Sequence, residues 1–157
     1  MIRGRIVALG VALSFALGGF GQGDREQSKN RTPALINTCI ITSDMAQLLE
    51  FYSRVLDMTP VVTGSDYAEF RTQVGVLAIF SAQAQEKYIP HATTPASNRS
   101  AILEFEVMDV DREYARLQGT VRAWVKPPTT QPWGTRSIYF RDPDGNLVDF
   151  FAYTKKS

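Results

Sequence analysis

The sequence predicts an α+β fold in which two βαβββ modules form a curved mixed sheet, a half-barrel cup with helices on its outer face. In each half of the chain one strand-like run is followed by an amphipathic helix and then by three short strand-like runs. The second half repeats the order of the first. One such unit leaves a face of its sheet uncovered, so two units side by side can enclose a concavity suited to a small molecule.

The first module is predicted over residues 35–81. It opens with a β-branched strand at 35–42, after which Asp44 can cap a helix. The apolar side chains of that helix recur at intervals of three and four residues: Leu48, Leu49, Tyr52, Val55 and Leu56. Three strands follow, at residues 60–63, 67–71 and 76–80, with turn signals at Gly64 and Gly75.

A linker and a second module complete the predicted domain. Residues 82–99 contain two prolines and many small polar residues, which is typical of a linker. The second module, residues 100–153, begins with a strand at 100–107, and Asp109 or Asp111 then caps a helix that ends near Gln118. Its remaining strands are predicted near residues 121–125, 136–141 and 146–153.

The N-terminal stretch differs from the rest. Residues 1–5 carry two arginines, and residues 6–20 carry no charge. A small-residue segment at 16–18 lies near the end of this uncharged run. This pattern predicts a signal peptide over residues 1–23, a polar linker over 24–33 and one domain over 34–157. We therefore expect a secreted or periplasmic protein, with membrane anchoring by an uncleaved N-terminus as the alternative.

Composition excludes several functions. Lys and Arg number 17 against 16 Asp and Glu, so the chain lacks the basic excess that binding to a nucleic-acid backbone requires. A single Cys cannot form an internal disulfide, and a single His cannot supply the clusters of common zinc sites. We expect no nucleic-acid partner, no internal disulfide and no zinc site of the common clustered type.

Two motifs identify a family. The pair Asp44-Met45 followed by residues 51–56 (FYSRVL), and Pro132-Trp133-Gly134 followed by residues 140–150 (FRDPDGNLVDF), resemble the vicinal oxygen chelate superfamily. That group includes glyoxalase I, extradiol dioxygenases and bleomycin-resistance proteins. The resemblance covers about residues 35–153 and implies a small organic ligand in the cup and a homodimer. The run 142–146 (DPDGN) is also typical of a tight turn, in which the carboxylates form hydrogen bonds with the local backbone.

The resemblance raises the question of a metal. In metal-dependent members one ligand comes from each of four strands, and the ion holds two neighbouring substrate oxygens. The matching positions here are Asn37, Ala78, Ile102 and Asp149. Because none is His and two are apolar, we predict no metal ligands and no cofactor. A divalent metal remains the alternative, since Glu104 and Glu106 could join Asp149 in an oxygen-rich site for Mg²⁺ or Ca²⁺.

Strand alternation and aromatic content select the candidate ligand-binding residues. Side chains two positions apart share a face, and flat rings beside a few polar groups are typical of small-molecule pockets. The candidates are Asn37, Cys39, Glu104, Trp124, Trp133, Asp149 and Phe151. No catalytic residue is assigned, although Asp149 with Glu104 could perform acid/base chemistry if their pKa values differ.

Two functions follow from these observations. The first is a metal-free binding protein, resembling bleomycin-resistance proteins, that sequesters or carries a small, partly aromatic molecule. The second is a glyoxalase- or dioxygenase-like lyase, isomerase or oxygenase, with either an atypical metal site or metal-free acid/base catalysis. The two differ in whether the bound molecule emerges unchanged.

Overall fold

The computed structural model describes residues 33–154, so the predicted signal peptide (1–23) and nearly all of the predicted polar linker lie outside the described residues. The elements are β1 (Asn37–Thr42), α1 (Met45–Leu56), β2 (Val61–Thr63), β3 (Tyr67–Arg71), β4 (Val76–Ser81), α2 (Ala82–Tyr88), β5 (Ile102–Glu106), α3 (Val110–Leu117), β6 (Ala123–Thr130), β7 (Thr135–Arg141) and β8 (Leu147–Tyr153). Within this range no helix has the length and apolar character needed to cross a membrane.

Each βαβββ module forms its own four-stranded sheet. The strand orders are β1-β4-β3-β2 and β5-β8-β7-β6, with the first pair of each sheet parallel and the remaining pairs antiparallel. The predicted α+β class with two βαβββ modules is confirmed. The described strands divide into two open sheets, one per module, in which β1 and β5 lie at edges.

Aspartate side chains begin the two longer helices. Asp44 Oδ1 accepts a hydrogen bond from Gln47 N at 2.9 Å and so caps α1. Asp109 Oδ1 accepts from the backbone N–H groups of Asp111 and Arg112, which identifies Asp109 as the cap of α3. Both aspartates stand seven positions after the first residue of the preceding strand, and this equal spacing reflects the repeat.

A helix occupies the start of the predicted linker. Ser81 Oγ accepts a hydrogen bond from Ala84 N at 3.1 Å, and α2 follows over Ala82–Tyr88. The predicted linker over residues 82–99 thus begins with a helix. Ala, Gln, Glu and Lys are strong helix formers, and with a Ser cap they outweigh the loop-like composition of the residues further along.

Strand β6 is longer than predicted and contains Pro127 and Pro128. It lies at the edge of its sheet, and its pairing with β7 shifts register between Trp124 and Lys126 and again between Lys126 and Thr129. Proline lacks the N–H that an inner strand needs, but an edge strand with irregular register tolerates it. The prolines therefore did not end the strand where the sequence suggested.

The two modules share one hydrophobic core. Phe140 of β7 has ring-centroid distances of 6.4 Å to Phe51 of α1, 5.6 Å to Trp124 and 5.4 Å to Phe150. The buried members of the core are Leu48, Tyr52, Val55, Phe70, Leu77, Ile79, Val110, Leu117, Val121, Ile138, Phe140, Val148 and Phe150. Because helix α1 of the first module packs against rings of the second, neither module buries its apolar face alone.

The turn between β7 and β8 is a structural feature. Asp142 accepts hydrogen bonds from Asn146 N, from Asn146 Nδ2 and from the buried Tyr52 hydroxyl, each at 2.8 Å. Gly145 adopts φ 84°, a left-handed conformation that favours glycine. Asp142 thus holds its own turn and ties it to α1, in agreement with the interpretation of residues 142–146 as a tight connection.

Tyr52→Phe should lower the free energy of unfolding by about 1–2 kcal/mol, because it removes one buried hydrogen bond to a charged group. Asp142 Oδ2 keeps its bond from Asn146 Nδ2, so the substitution does not leave the carboxylate unpartnered. Urea unfolding followed by circular dichroism measures the difference. Tyr88→Phe, which removes a hydroxyl from a side chain 66% exposed, is the matched control. Equal stability of the two variants would contradict the role of the Tyr52 hydroxyl.

Candidate functional site

Each sheet has one face covered by helices and one face turned away from them, which we call its cup face. On the second module, strand alternation and register place three sets of side chains on the cup face. These are Ile102, Glu104 and Glu106 on β5, Leu147, Asp149, Phe151 and Tyr153 on β8, and Thr135, Ser137, Tyr139 and Arg141 on β7. The opposite face carries core residues such as Ile138 and Phe150.

Asp149 lies at the centre of this cup face. It pairs in register with Glu104 on one side and Tyr139 on the other. Its exposed fraction is 3%, and its Oδ1 atom is buried without a hydrogen-bond partner. A buried carboxylate oxygen without a partner is unusual in folded proteins, so it can accept a bond from a ligand or hold a proton.

Burial raises the pKa of Asp149 to about 6, and the charge of Glu104 acts in the same direction. The hydroxyls of Tyr139 and Ser137 act the opposite way. Burial also raises the pKa of Tyr139, which therefore remains a hydroxyl donor at neutral pH. Near pH 6 this carboxyl group can either donate or accept a proton.

The first module presents a second polar group on its cup face. Glu69 is 7% exposed and accepts hydrogen bonds of 2.7 Å from the Tyr67 hydroxyl and from Arg71 Nε. Burial acts to raise the pKa of Glu69, but the bonds from Tyr67 and Arg71 and the Arg71 charge outweigh it, so the pKa is lowered. Glu69 is thus an ionised, well-partnered carboxylate, in contrast to Asp149.

The predicted ligand-binding residues divide between these two faces. Asn37 and Cys39 lie on the cup face of the first module, close enough to Tyr67 to affect its pKa. Glu104, Asp149 and Phe151 lie on that of the second. Across the described residues, no hydrogen bond or ion pair joins one cup face to the other. A single chain therefore presents two partial sites.

The two tryptophans occupy different environments. Trp133 is 69% exposed on the turn between β6 and β7, where Gly134 adopts φ 93°. Trp124 pairs with Phe140 on the helix-covered face and has a ring-centroid distance of 4.7 Å to Tyr114 of α3. The structure brings Trp124 to the core and not to the Asp149 face, because its position in β6 has the parity of the apolar residues.

Four polar residues of the cup faces escaped the sequence prediction: Tyr67, Glu69, Ser137 and Tyr139. Their signal was the alternation of polar and apolar residues along β3 and β7. Strand parity was used only for β1, β5 and β8, which carry Asn37, Ile102 and Asp149. Alternation applied to β7 would have placed Ser137 and Tyr139 beside Asp149.

The donor set does not fit a four-ligand metal centre. Of the four matching positions, Asn37 offers an amide oxygen and Asp149 a carboxylate, whereas Ala78 and Ile102 carry no donor atom. Glu106 pairs in register with Phe151 instead of Asp149. Between residues 33 and 154 there is no group of three or more His, Cys, Asp and Glu side chains that could hold a metal ion.

Cys39 does not have the environment of a nucleophile. Its side chain is exposed on the cup face. Burial by its neighbours nevertheless raises the pKa of the thiol. Since the thiolate is the reactive form, a raised pKa disfavours covalent chemistry at this position.

Two clefts lie beside β1 and α1. One, of about 440 Å³, follows β1 and the segment 92–98 and is lined by Cys39, Leu103 and Asn146 among others. The other, of about 480 Å³, lies between α1, residues 120–123 and residues 141–143. Both volumes are within the range of small-molecule sites. Asp149 lines neither cleft.

Comparison with known proteins places these features in a family context. Residues 34–150 match the model of the glyoxalase/bleomycin resistance protein/dioxygenase superfamily. A relative, YraH of Bacillus subtilis (strain 168), described as an uncharacterized protein, is 25% identical over 123 residues, covering 74% of this chain and 96% of the relative.

Solved structures show the same fold. A glyoxalase/bleomycin resistance protein/dioxygenase from Nocardioides is 25% identical with a TM-score of 0.69, covering 86% of this chain and 93% of that chain. A glyoxalase-related enzyme from Fulvimarina pelagi is 20% identical with a TM-score of 0.68, covering 77% and 88%. The match extends over both βαβββ modules.

Proposed function

Because the chain belongs to the glyoxalase/bleomycin resistance protein/dioxygenase superfamily, we propose that it is a metal-free homodimeric protein that binds a small, partly aromatic organic molecule. The observation that carries this proposal is Asp149, a buried carboxyl group with an unpartnered oxygen on an otherwise satisfied sheet face. Phe151 and Tyr139 flank it and offer ring surfaces next to a polar centre. This combination of rings and one polar anchor suits an aromatic molecule that carries a hydroxyl or amine donor.

The side chains at the matching positions favour a metal-free site. Two of the four positions at which related proteins supply ligands are Ala78 and Ile102, which cannot bind an ion. Asp149 would remain the one charged ligand, and a single carboxylate binds divalent metals weakly. Ligand recognition is then left to hydrogen bonds and ring contacts.

Exposed surface at the cup faces favours a homodimer. Ile102 of β5 is 47% exposed, and Tyr153 of β8 is 71% exposed. Strands β1 and β5 lie at sheet edges, and unpaired edges are commonly covered by another chain. A second copy placed against these edges would cover apolar surface and could bring the Asn37 face of one copy towards the Asp149 face of the other.

A titration with catechol tests the proposal, since catechol combines an aromatic ring with two neighbouring oxygens. We expect saturable quenching of Trp fluorescence, recovery of unchanged catechol, substoichiometric metal by elemental analysis, and a dimer mass by analytical ultracentrifugation. Tyr139→Phe should weaken binding about tenfold, the effect of losing one hydrogen bond to a ligand. Tyr88→Phe, outside the cup faces, should leave it unchanged. Equal affinity of the two variants, or a stoichiometric metal lost together with binding, would overturn the proposal.

One observation favours a second candidate, metal-free acid/base catalysis. Asp149, with a pKa of about 6, stands next to the exposed Glu104 on the neighbouring strand. A carboxyl group with a pKa near neutrality is suited to transfer protons. Consumption of catechol or a related molecule by the metal-free protein, abolished in Asp149→Asn, would favour the enzyme over the binding protein.

We further propose export of the chain through residues 1–23.

A further inference from the structure

We propose that the cleft beside α1 is a second binding site, selective for an organic phosphate. Three arginines from separate segments line it: Arg54 from α1, Arg122 from the segment before β6, and Arg141 from the end of β7. The cleft has a volume of about 480 Å³, and Asp149, Tyr139 and Ser137 do not line it. Guanidinium groups match phosphate oxygens in shape and charge and form paired hydrogen bonds with them.

The three arginines of the cleft differ in their hydrogen-bond and salt-bridge partners. Arg122 takes part in none of the five salt bridges between described residues. Arg141 Nη1 donates to the carbonyl of Gly145 at 2.8 Å, which fixes its guanidinium on the turn between β7 and β8. Arg54 pairs with Glu50 at 2.7 Å, but both side chains are more than 60% exposed, so a phosphate can compete for Arg54 at little cost.

The acidic groups of the cleft do not cancel this positive charge. Asp142 is 4% exposed and accepts hydrogen bonds from Tyr52 and Asn146, so its oxygens are directed into the protein. Glu50 is the other carboxylate of the lining, and it is paired with Arg54. Arg122, which has no carboxylate partner among the described salt bridges, thus leaves a positive field at the cleft.

An apolar surface lies beside the arginines. Phe51, Ala123 and Pro143 line the same cleft, and Phe51 is held in place by ring contacts to Tyr52 at 5.3 Å and Phe140 at 6.4 Å. A ligand with a phosphate group on a compact ring would place its charge at the arginines and its ring against these side chains. The arrangement favours phosphate monoesters over inorganic phosphate.

Isothermal titration with phenyl phosphate tests this site in the intact chain. We expect saturable binding with one phenyl phosphate per chain, weaker binding of inorganic phosphate, and none of benzyl alcohol. Arg122→Ala should weaken phenyl phosphate binding at least about tenfold, the effect of losing a charge-assisted hydrogen bond. Arg112→Ala, which removes an exposed arginine of α3 outside the cleft, is the matched control.

Three results would overturn the proposal. The first is binding of phenyl phosphate that does not saturate, and the second is equal weakening of that binding by Arg122→Ala and Arg112→Ala. The third is loss of phenyl phosphate binding in Asp149→Asn, which would place the phosphate on the cup face instead. The test is independent of catechol binding, because it uses a different probe and different variants.

Discussion

Phe140→Ala is expected to lower the free energy of unfolding by about 3–5 kcal/mol, the range for truncating a large buried ring. Phe140 is fully buried and contacts rings from α1, β6 and β8. Its removal leaves a cavity between the modules. Close packing on both sides prevents this cavity from collapsing. Urea unfolding followed in parallel by circular dichroism and by fluorescence of Trp124, 5.6 Å from the ring, measures the loss.

Phe151→Ala is the matched control, since Phe151 is a half-buried phenylalanine on the cup face of the neighbouring strand. It should lower the free energy of unfolding by less than about 2 kcal/mol, because part of the ring is already in contact with water. For Phe140→Ala the two probes should report one transition, since the modules share a core. Two separate transitions would instead show that each module is stable alone.

Local signals in the sequence were sufficient to place most elements. Asp44 and Asp109 mark the starts of helices, because a capping carboxylate accepts a hydrogen bond from a free backbone N–H group that lies within one helical turn of it. Gly64 and Gly145 mark turns because both adopt positive φ, which depends on the residue itself. The repeat predicted the order of elements along the chain, one strand, one helix and three strands in each module.

The candidate site was less accessible to sequence reasoning because it depends on contacts between distant residues. The bond between Tyr52 and Asp142 joins positions 90 residues apart, and no local pattern reports it. Trp124 was assigned to the pocket as an aromatic residue, although its pairing with Phe140 places it on the helix-covered face. The raised pKa of Asp149 likewise results from packing by β5 and β7 around a single carboxyl group.

Asp149→Asn should raise the free energy of unfolding at pH 8 by about 1–3 kcal/mol and leave it unchanged at pH 4. In the unfolded chain the carboxyl group has a pKa near its ordinary value of 3.8, whereas burial in the folded protein raises the pKa to about 6. Between these values the native state binds more protons than the unfolded state, so stability falls as the pH rises. Asn has nearly the same shape and cannot ionise, so the variant avoids this loss.

Urea unfolding of wild type and variant at pH 4, 6 and 8 gives the difference directly, and subtracting the two curves removes the titration of all other groups. Glu106→Gln, an exposed carboxylate of β5 that does not affect the pKa of Asp149, should give a difference near zero throughout. A wild type more stable than Asp149→Asn at pH 8 would contradict a destabilising buried charge. If the variant is more stable yet binds catechol more weakly, the carboxylate of Asp149 serves ligand binding at the expense of the fold.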